Sequence, residues 1–122
     1  MGSHPINLGI RFILELTALV AFAQWGWMAF GDGFQWAAVI AAPVAGAAAW
    51  GTFNVAGDPS RSGRAPIPVP GPVRFGLEMV FFALAALALG FVGSDLVGWV
   101  FAAIVTAHYA ASWDRVAWLM RR

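Results

Sequence analysis

Apolar residues run along this chain in four long stretches, at about residues 7–30, 34–53, 73–92 and 96–120. Each is about 20 residues or longer, the length a helix needs to cross the hydrocarbon core of a bilayer. The first would extend about 36 Å at 1.5 Å per residue. The first and last breaks are tight turns, Gly31-Asp32-Gly33 and Gly93-Ser94-Asp95, and Asp32 is placed to cap the helix after it. The middle break differs: residues 54–72 hold five prolines, Gly57, Gly63, Gly71 and two arginines, which predicts an extended connector. Pro72 suits the first turn of the third helix, whereas Pro43 falls inside the second and should kink it. Residues 1–4 stand outside the pattern. Ala21-Phe22-Ala23 imitates a signal-peptidase site, but the apolar run continues past it, so no cleaved signal peptide is expected. The pattern predicts an all-α membrane protein, a single-domain four-helix transmembrane bundle.

The polar positions within the apolar runs recur. Ile10-Arg11-Phe12-Ile13-Leu14-Glu15-Leu16 returns as Val73-Arg74-Phe75-Gly76-Leu77-Glu78-Met79, displaced by 63 residues. The same gapless displacement pairs Asp32 with Asp95, Trp36 with Trp99 and Trp50 with Trp113. These landmarks in one register predict a duplicated unit, with repeats at about residues 6–54 and 72–120 joined by a connector at about 55–71. Two spans per repeat make the copies parallel, related by a pseudo-two-fold axis along the membrane normal. Small-residue ridges at Ala38/Ala42/Gly46, Ala41/Ala45/Ala49 and Ala103/Ala107/Ala111 permit close helix approach, inside the bundle or between copies of a homo-oligomer.

Composition agrees with the bilayer as solvent. Of the 122 residues 61% are hydrophobic and 11% charged, against roughly 25% charged in a soluble domain. The absence of cysteine excludes disulfides, thiolate chemistry and cysteine-ligated metals. A net charge of +1 gives no reason to expect nucleic acid as a partner. All seven basic residues are arginine, and Arg61, Arg64, Arg115, Arg121 and Arg122 flank one side, from which the spans carrying Arg11 and Arg74 also begin. Positive-inside bias therefore predicts an inner-membrane, multi-pass protein with both termini and the connector cytoplasmic. Trp36 and Trp99 on one side, and Trp50 and Trp113 on the other, read as interfacial belts.

Charged residues within spans are costly, and they usually face the bundle interior or a wet cavity. Arg11 and Glu15 are four apart and share a helix face, as do Arg74 and Glu78. Glu15 lies about 12 Å along its helix, and the register places Glu15, Glu78, His108 and Tyr109 in one layer. His108, Ser112 and Arg115 share one face of the fourth helix, and Thr106, Tyr109 and Trp113 its neighbour, continuing a polar seam. Asp114 and Arg115 are expected at the interface as solvated charges. Trp50 and Trp113, flanking the charged layer, are expected to line any cavity there. A metal at His108 would need Glu15 or Glu78 as co-ligand; a hydrogen-bonded core histidine is the simpler reading. No metal site, cofactor motif, nucleotide loop or nucleophile elbow is predicted.

Arg11-Phe12-Ile13-Leu14-Glu15-Leu16, Trp25-Gly26, Trp50-Gly51-Thr52-Phe53 with the following Pro59, and Pro72-Val73-Arg74 through Glu78 together resemble the YrdB-like family of small four-span bacterial membrane proteins of unknown function. The likeness spans almost the whole chain. The connector is longer here, at residues 57–70, and has no lysine; His108 stands where the family tends to carry another polar residue, often an amide. The resemblance implies an architecture and no chemistry. Small multidrug-resistance exporters share the four-span layout and an early glutamate like Glu15, but not the arginine four residues before it.

Three functions are compatible with these residues. The first is a binding or carrier protein for a small amphipathic or anionic ligand, held in a cytoplasm-facing pocket of Arg11, Glu15, Arg74, Glu78 and His108, with Tyr109, Trp50 and Trp113 around it. The second is a membrane enzyme using Glu15 or Glu78 with His108 in acid–base work on a lipophilic substrate. The third is a structural or accessory subunit in which the Arg/Glu pairs only lock the helices. The outer halves carry Gln24 as their one strongly polar group, which favours a one-sided cavity over a transport route.

Overall fold

The computed structural model describes residues 4–58 and 63–122; Pro59 and Arg61, counted above in the connector, lie outside them. His4 opens α1 (Pro5–Ala29), its Nδ1 accepting a hydrogen bond from the Ile6 amide at 3.2 Å, with Pro5 in the first turn. A turn through Asp32 (φ 55°) and Gly33 (φ 88°) leads into α2 (Phe34–Thr52). Asp32 does not cap α2 as expected: Gly33 precedes the helix, and the Gln35 side chain accepts from the Gly33 amide at 3.0 Å. Asp32 instead occupies the left-handed region, which aspartate tolerates better than most residues.

The connector folds back on itself. A two-residue strand β1 (Phe53–Asn54) pairs in parallel with β2 (Ile67–Pro68), and the Val69 amide donates to the Asn54 carbonyl at 2.9 Å. Val55 and Asp58, which follow β1, are buried. The chain then enters α3 (Gly71–Val92), turns at Gly93, and starts α4 (Asp95–Ala111), where the Ser94 hydroxyl accepts from the Val97 amide.

The predicted fourth span at 96–120 is broken. α4 ends at Ala111, and α5 (Trp113–Met120) leaves it at an angle of 73°. Ser112 is the whole joint: its amide donates to the His108 and Tyr109 carbonyls, and its own carbonyl accepts from the Arg115 and Val116 amides. Its hydroxyl accepts from Asn7 Nδ2 of α1 at 2.6 Å, which fixes the joint against the first helix. A serine offered side-chain and backbone partners in this way competes with regular helix.

α1 and α3 lie at the centre and pack on each other; α2 packs mainly on α1, α4 on α3, and α5 back onto α3. Leu14, Ala18, Trp50, Phe81, Phe82, Phe101 and Val105 form the core, with edge-to-face contacts running from Phe22 through Phe81 to Phe82. α1, α2 and α3 are each long and apolar enough to cross a membrane, and α4 with α5 makes a fourth, bent candidate. The ridge Ala38/Ala42/Gly46 turns inward on α2, whereas Ala41, Ala45, Ala103, Ala107 and Ala111 are exposed.

Two glycines set the helix spacing. A Cβ on Gly26 would lie 2.5 Å from the Ala38 carbonyl oxygen, and one on Gly98 2.7 Å from that of Ala86, so α1/α2 and α3/α4 cross backbone to backbone. Gly26→Ala and Gly98→Ala should each lower the Tm in detergent by the equivalent of about 1–3 kcal/mol of overpacking. Gly9→Ala, which meets nothing within 4 Å, should be neutral or stabilising by up to about 1 kcal/mol through helix propensity. Equal effects at all three positions would rule out the close crossings.

Candidate functional site

Glu78 on α3 is fully buried, and five donors from four residues meet it. Its Oε2 accepts from Arg74 Nε at 2.6 Å, Arg115 Nη2 at 2.8 Å and Arg11 Nη2 at 3.0 Å. Its Oε1 accepts from the Tyr109 hydroxyl at 2.6 Å and Arg115 Nη1 at 2.8 Å. Arg115 thus grips the carboxylate with both prongs of its guanidinium, the geometry that makes arginine–carboxylate pairs strong. The arginines come from α1, α3 and α5, and the tyrosine from α4.

Each arginine is held a second time. Arg74 is fully buried, and its Nη1 donates to the carbonyls of Trp50 at 2.6 Å and Phe53 at 2.8 Å. These belong to the end of α2, whose last carbonyls have no partner within the helix and favour a cation. Arg115 Nη2 also reaches Asp58 Oδ2 at 2.7 Å, which ties α5 to the connector. Arg11 Nε lies 3.5 Å from Glu15 Oε1. The Trp50 ring lies beneath two of these cations, 4.5 Å from the Arg74 guanidinium carbon and 5.3 Å from that of Arg11. Arg11, Arg74 and Arg115 therefore face Glu15, Asp58 and Glu78, and the layer is electrically balanced. Burying an unpaired charge costs several kcal/mol, so this balance is what lets the layer exist away from water.

The structure sorts the residues singled out by the sequence. Arg11, Arg74, Glu78, Tyr109 and Trp50 come together as described. Glu15 does not share the central position of Glu78: its side chain is 20% exposed and pairs with Arg11. His108 is buried with its ring edge-on to Tyr109 at 5.3 Å, but it forms no ion pair with either glutamate among the described residues. Trp113 is 67% exposed and lines nothing in the layer, because the break at Ser112 turns it away from Trp50. Thr106 is exposed and bonds the Ala102 carbonyl of its own helix, so it adds nothing to a polar seam.

Two members of the layer escaped the sequence reading. Arg115 was expected in solvent, yet it is 5% exposed and grips Glu78. Its place on one face with His108 and Ser112 was visible, and the 73° break that swings it inward was not. Asp58 lay in a connector read as extended and was given no role; it is the one acid in residues 54–72, and a third buried arginine requires a third carboxylate.

The open space lies elsewhere. A groove of about 840 Å³ runs between α2 and α3 with α1 as its floor, and its lining, which includes Trp25, Ala45, Ala49, Gly76, Leu84 and Phe91, contains no ionisable side chain.

A family model described as a protein of unknown function (DUF2568) matches residues 9–106. That stretch contains Arg11, Glu15, Trp50, Asp58, Arg74 and Glu78 and stops short of His108, Tyr109 and Arg115. The chain is 36% identical over 119 residues to the uncharacterized protein YrdB of Bacillus subtilis (strain 168), covering 98% of this chain and 97% of that one. No solved structure matches it.

The unequal surroundings of the two glutamates predict unequal mutants. Glu78→Gln, which leaves three arginines around a neutral amide, should reduce stability in detergent by roughly 3–5 kcal/mol. Glu15→Gln should cost about 1 kcal/mol, because the Glu15 side chain keeps some solvent and Arg11 retains its bond to Glu78. Thermal melts of both variants in matched detergent check this, and equal losses would show that Glu78 is not the centre of the layer.

Proposed function

The chain belongs to DUF2568, the YrdB-like family of unknown function, and from its geometry we propose a membrane-embedded binding protein that takes the apolar part of a lipid-like amphiphile into the groove between α2 and α3. The observation that carries this is the groove itself. Its volume of about 840 Å³ falls within the roughly 300–1,000 Å³ of small-molecule pockets, and its walls are apolar throughout. It opens sideways, where a spanning protein meets acyl chains. In this reading the Arg/Glu layer is the frame and not the ligand pocket: apart from Arg74 Nη2, which is buried without a hydrogen bond, the donors of Arg74 and Arg115 that reach a partner do so on the layer's own carboxylates and the carbonyls at the end of α2. The ligand keeps the amphipathic character expected from the sequence, and the contact moves from the charges to the groove beside them. Acid–base chemistry by Glu78 and His108 is disfavoured by the same commitment, since Glu78 has no open coordination side for a substrate.

The membrane is an inner membrane and the end bearing the ionic layer is cytoplasmic, a reading that rests on exposed Arg64, Arg121 and Arg122 at that end. The second reading is an accessory subunit whose groove receives a partner helix or a second copy. Ala42, Ala45, Gly46 and Ala49 on the α2 wall favour it, because small residues let helices approach closely.

Reconstitution with a diazirine-bearing phospholipid, followed by cross-linking and peptide mapping, separates these readings. The parent should carry acyl adducts on groove residues of α2 and α3 several-fold above those on the lipid-facing side of α4. Ala45→Trp, which fills the groove from an exposed position, should remove the excess. Adducts spread evenly around the bundle would overturn lipid binding, and chain-to-chain cross-links through the groove would favour the accessory subunit.

A further inference from the structure

We propose that α5 is an interfacial helix, lying along the membrane surface at the end of the ionic layer and binding anionic phospholipid headgroups through Arg121 and Arg122. The first support is direction. α5 leaves α4 at 73°, so if α4 follows the membrane normal, α5 lies close to the membrane plane.

The second support is the division of its surface. Arg115, Val116 and Leu119 form one buried face, docked on the bundle by the ion pairs of Arg115 and by Leu119 against Gly71. Gly71 has no room for a Cβ against the Leu119 backbone, so this docking is close and rigid. Trp113, Ala117 and Met120 follow at i, i+4 and i+7, which makes a second stripe about a third of a turn away from the docked face. Trp113 is 67% and Met120 46% exposed, and the stripe is apolar. Asp114 and Trp118 occupy the remaining side. A helix with one face docked, one apolar stripe exposed and a third side carrying the charged Asp114 beside the amphipathic Trp118 is partnered on two sides and meets headgroups and water on the third. An interfacial helix meets that condition, its apolar stripe sunk about 5–10 Å into the headgroup boundary. Tryptophan is the residue most at home there.

The third support is charge. Arg115 is consumed by Glu78 and Asp58, but Arg121 and Arg122 follow the helix, both exposed, with Arg122 stacked 4.8 Å over Trp118. Two arginines beside a membrane-lying helix complement phosphate, which arginine grips by paired hydrogen bonds. Basic residues near a membrane surface are attracted to its anionic lipids.

The chain has no cysteine, so single-cysteine variants of it can be spin-labelled cleanly. Ala117→Cys, Met120→Cys and Asp114→Cys should be compared in nanodiscs of phosphatidylcholine with and without phosphatidylglycerol. Labels at 117 and 120 should be accessible to oxygen and shielded from a water-soluble nickel complex, and the label at 114 the reverse. Nickel access at all three positions would overturn the interfacial placement. For the headgroups, phosphatidylglycerol should raise the Tm of the parent, and high salt or the double variant Arg121→Gln/Arg122→Gln should abolish that rise. A rise that survives the double variant would overturn the assignment to Arg121 and Arg122, and no rise in the parent would overturn headgroup binding.

Discussion

The fold depends on one buried carboxylate. Glu78 lies in α3, whose one other charged residue is Arg74, and burying it uncompensated would cost several kcal/mol. Its compensation comes from five hydrogen bonds, and their donors lie on every long helix except α2. Satisfying Glu78 therefore requires α1 against α3, α4 presenting Tyr109, and the chain after α4 turned back far enough for Arg115 to reach in. The arginines so gathered create a second demand. Arg74 meets it at the α2 carbonyls and Arg115 at Asp58, which brings α2 and the connector into the same layer. Helix order, the break at Ser112 and the folded connector all follow from neutralising this group.

Apolar packing fixes the other half differently. Beyond the ionic layer the helices meet through Ala18, Ala21, Gly26, Ala85 and Gly98, which allow close crossings without directional bonds. The exposed hydroxyls are satisfied locally: Thr17 bonds the Ile13 carbonyl and Thr106 that of Ala102, each within its own helix. The ionic layer specifies which elements meet, and the small residues set how near they come.

Much of this was legible in the sequence, because hydropathy and span length act locally. The helical runs, the turns and the convergence of Arg11, Arg74 and Glu78 with Tyr109 needed only periodicity and register. Arg115, Asp58 and Trp113 were misplaced or missed for one common reason: each depends on where the backbone stops being regular. Polar residues gather from His108 through Ser112 to Arg115, but that pattern reads equally well as a straight span reaching the interface; the break depends on a side chain three residues later and a glutamate 34 positions earlier. Asp58 likewise shows no role until a distant arginine claims it. Hydropathy reports the solvent a segment prefers, and it cannot report which long-range partner bends it.

The displacement of 63 residues sets His108, Tyr109, Ser112 and Arg115 of the second half against Ala45, Gly46, Ala49 and Thr52 of the first. On the α4 side these positions are polar and buried, with Tyr109 and Arg115 bonding Glu78, His108 packed on Tyr109 and Ser112 bonded to Asn7. On α2 the first three are small and line the open groove. A single carboxylate accommodates only one set of such donors, so an equivalent polar set on α2 would face the apolar groove with nothing to neutralise it. The small residues avoid that penalty, and the volume they give up is left as the groove. The polar lock and the apolar groove are therefore two results of one asymmetry: charge compensation is complete on the α4 side, and on the α2 side the same positions are free to serve as a lining.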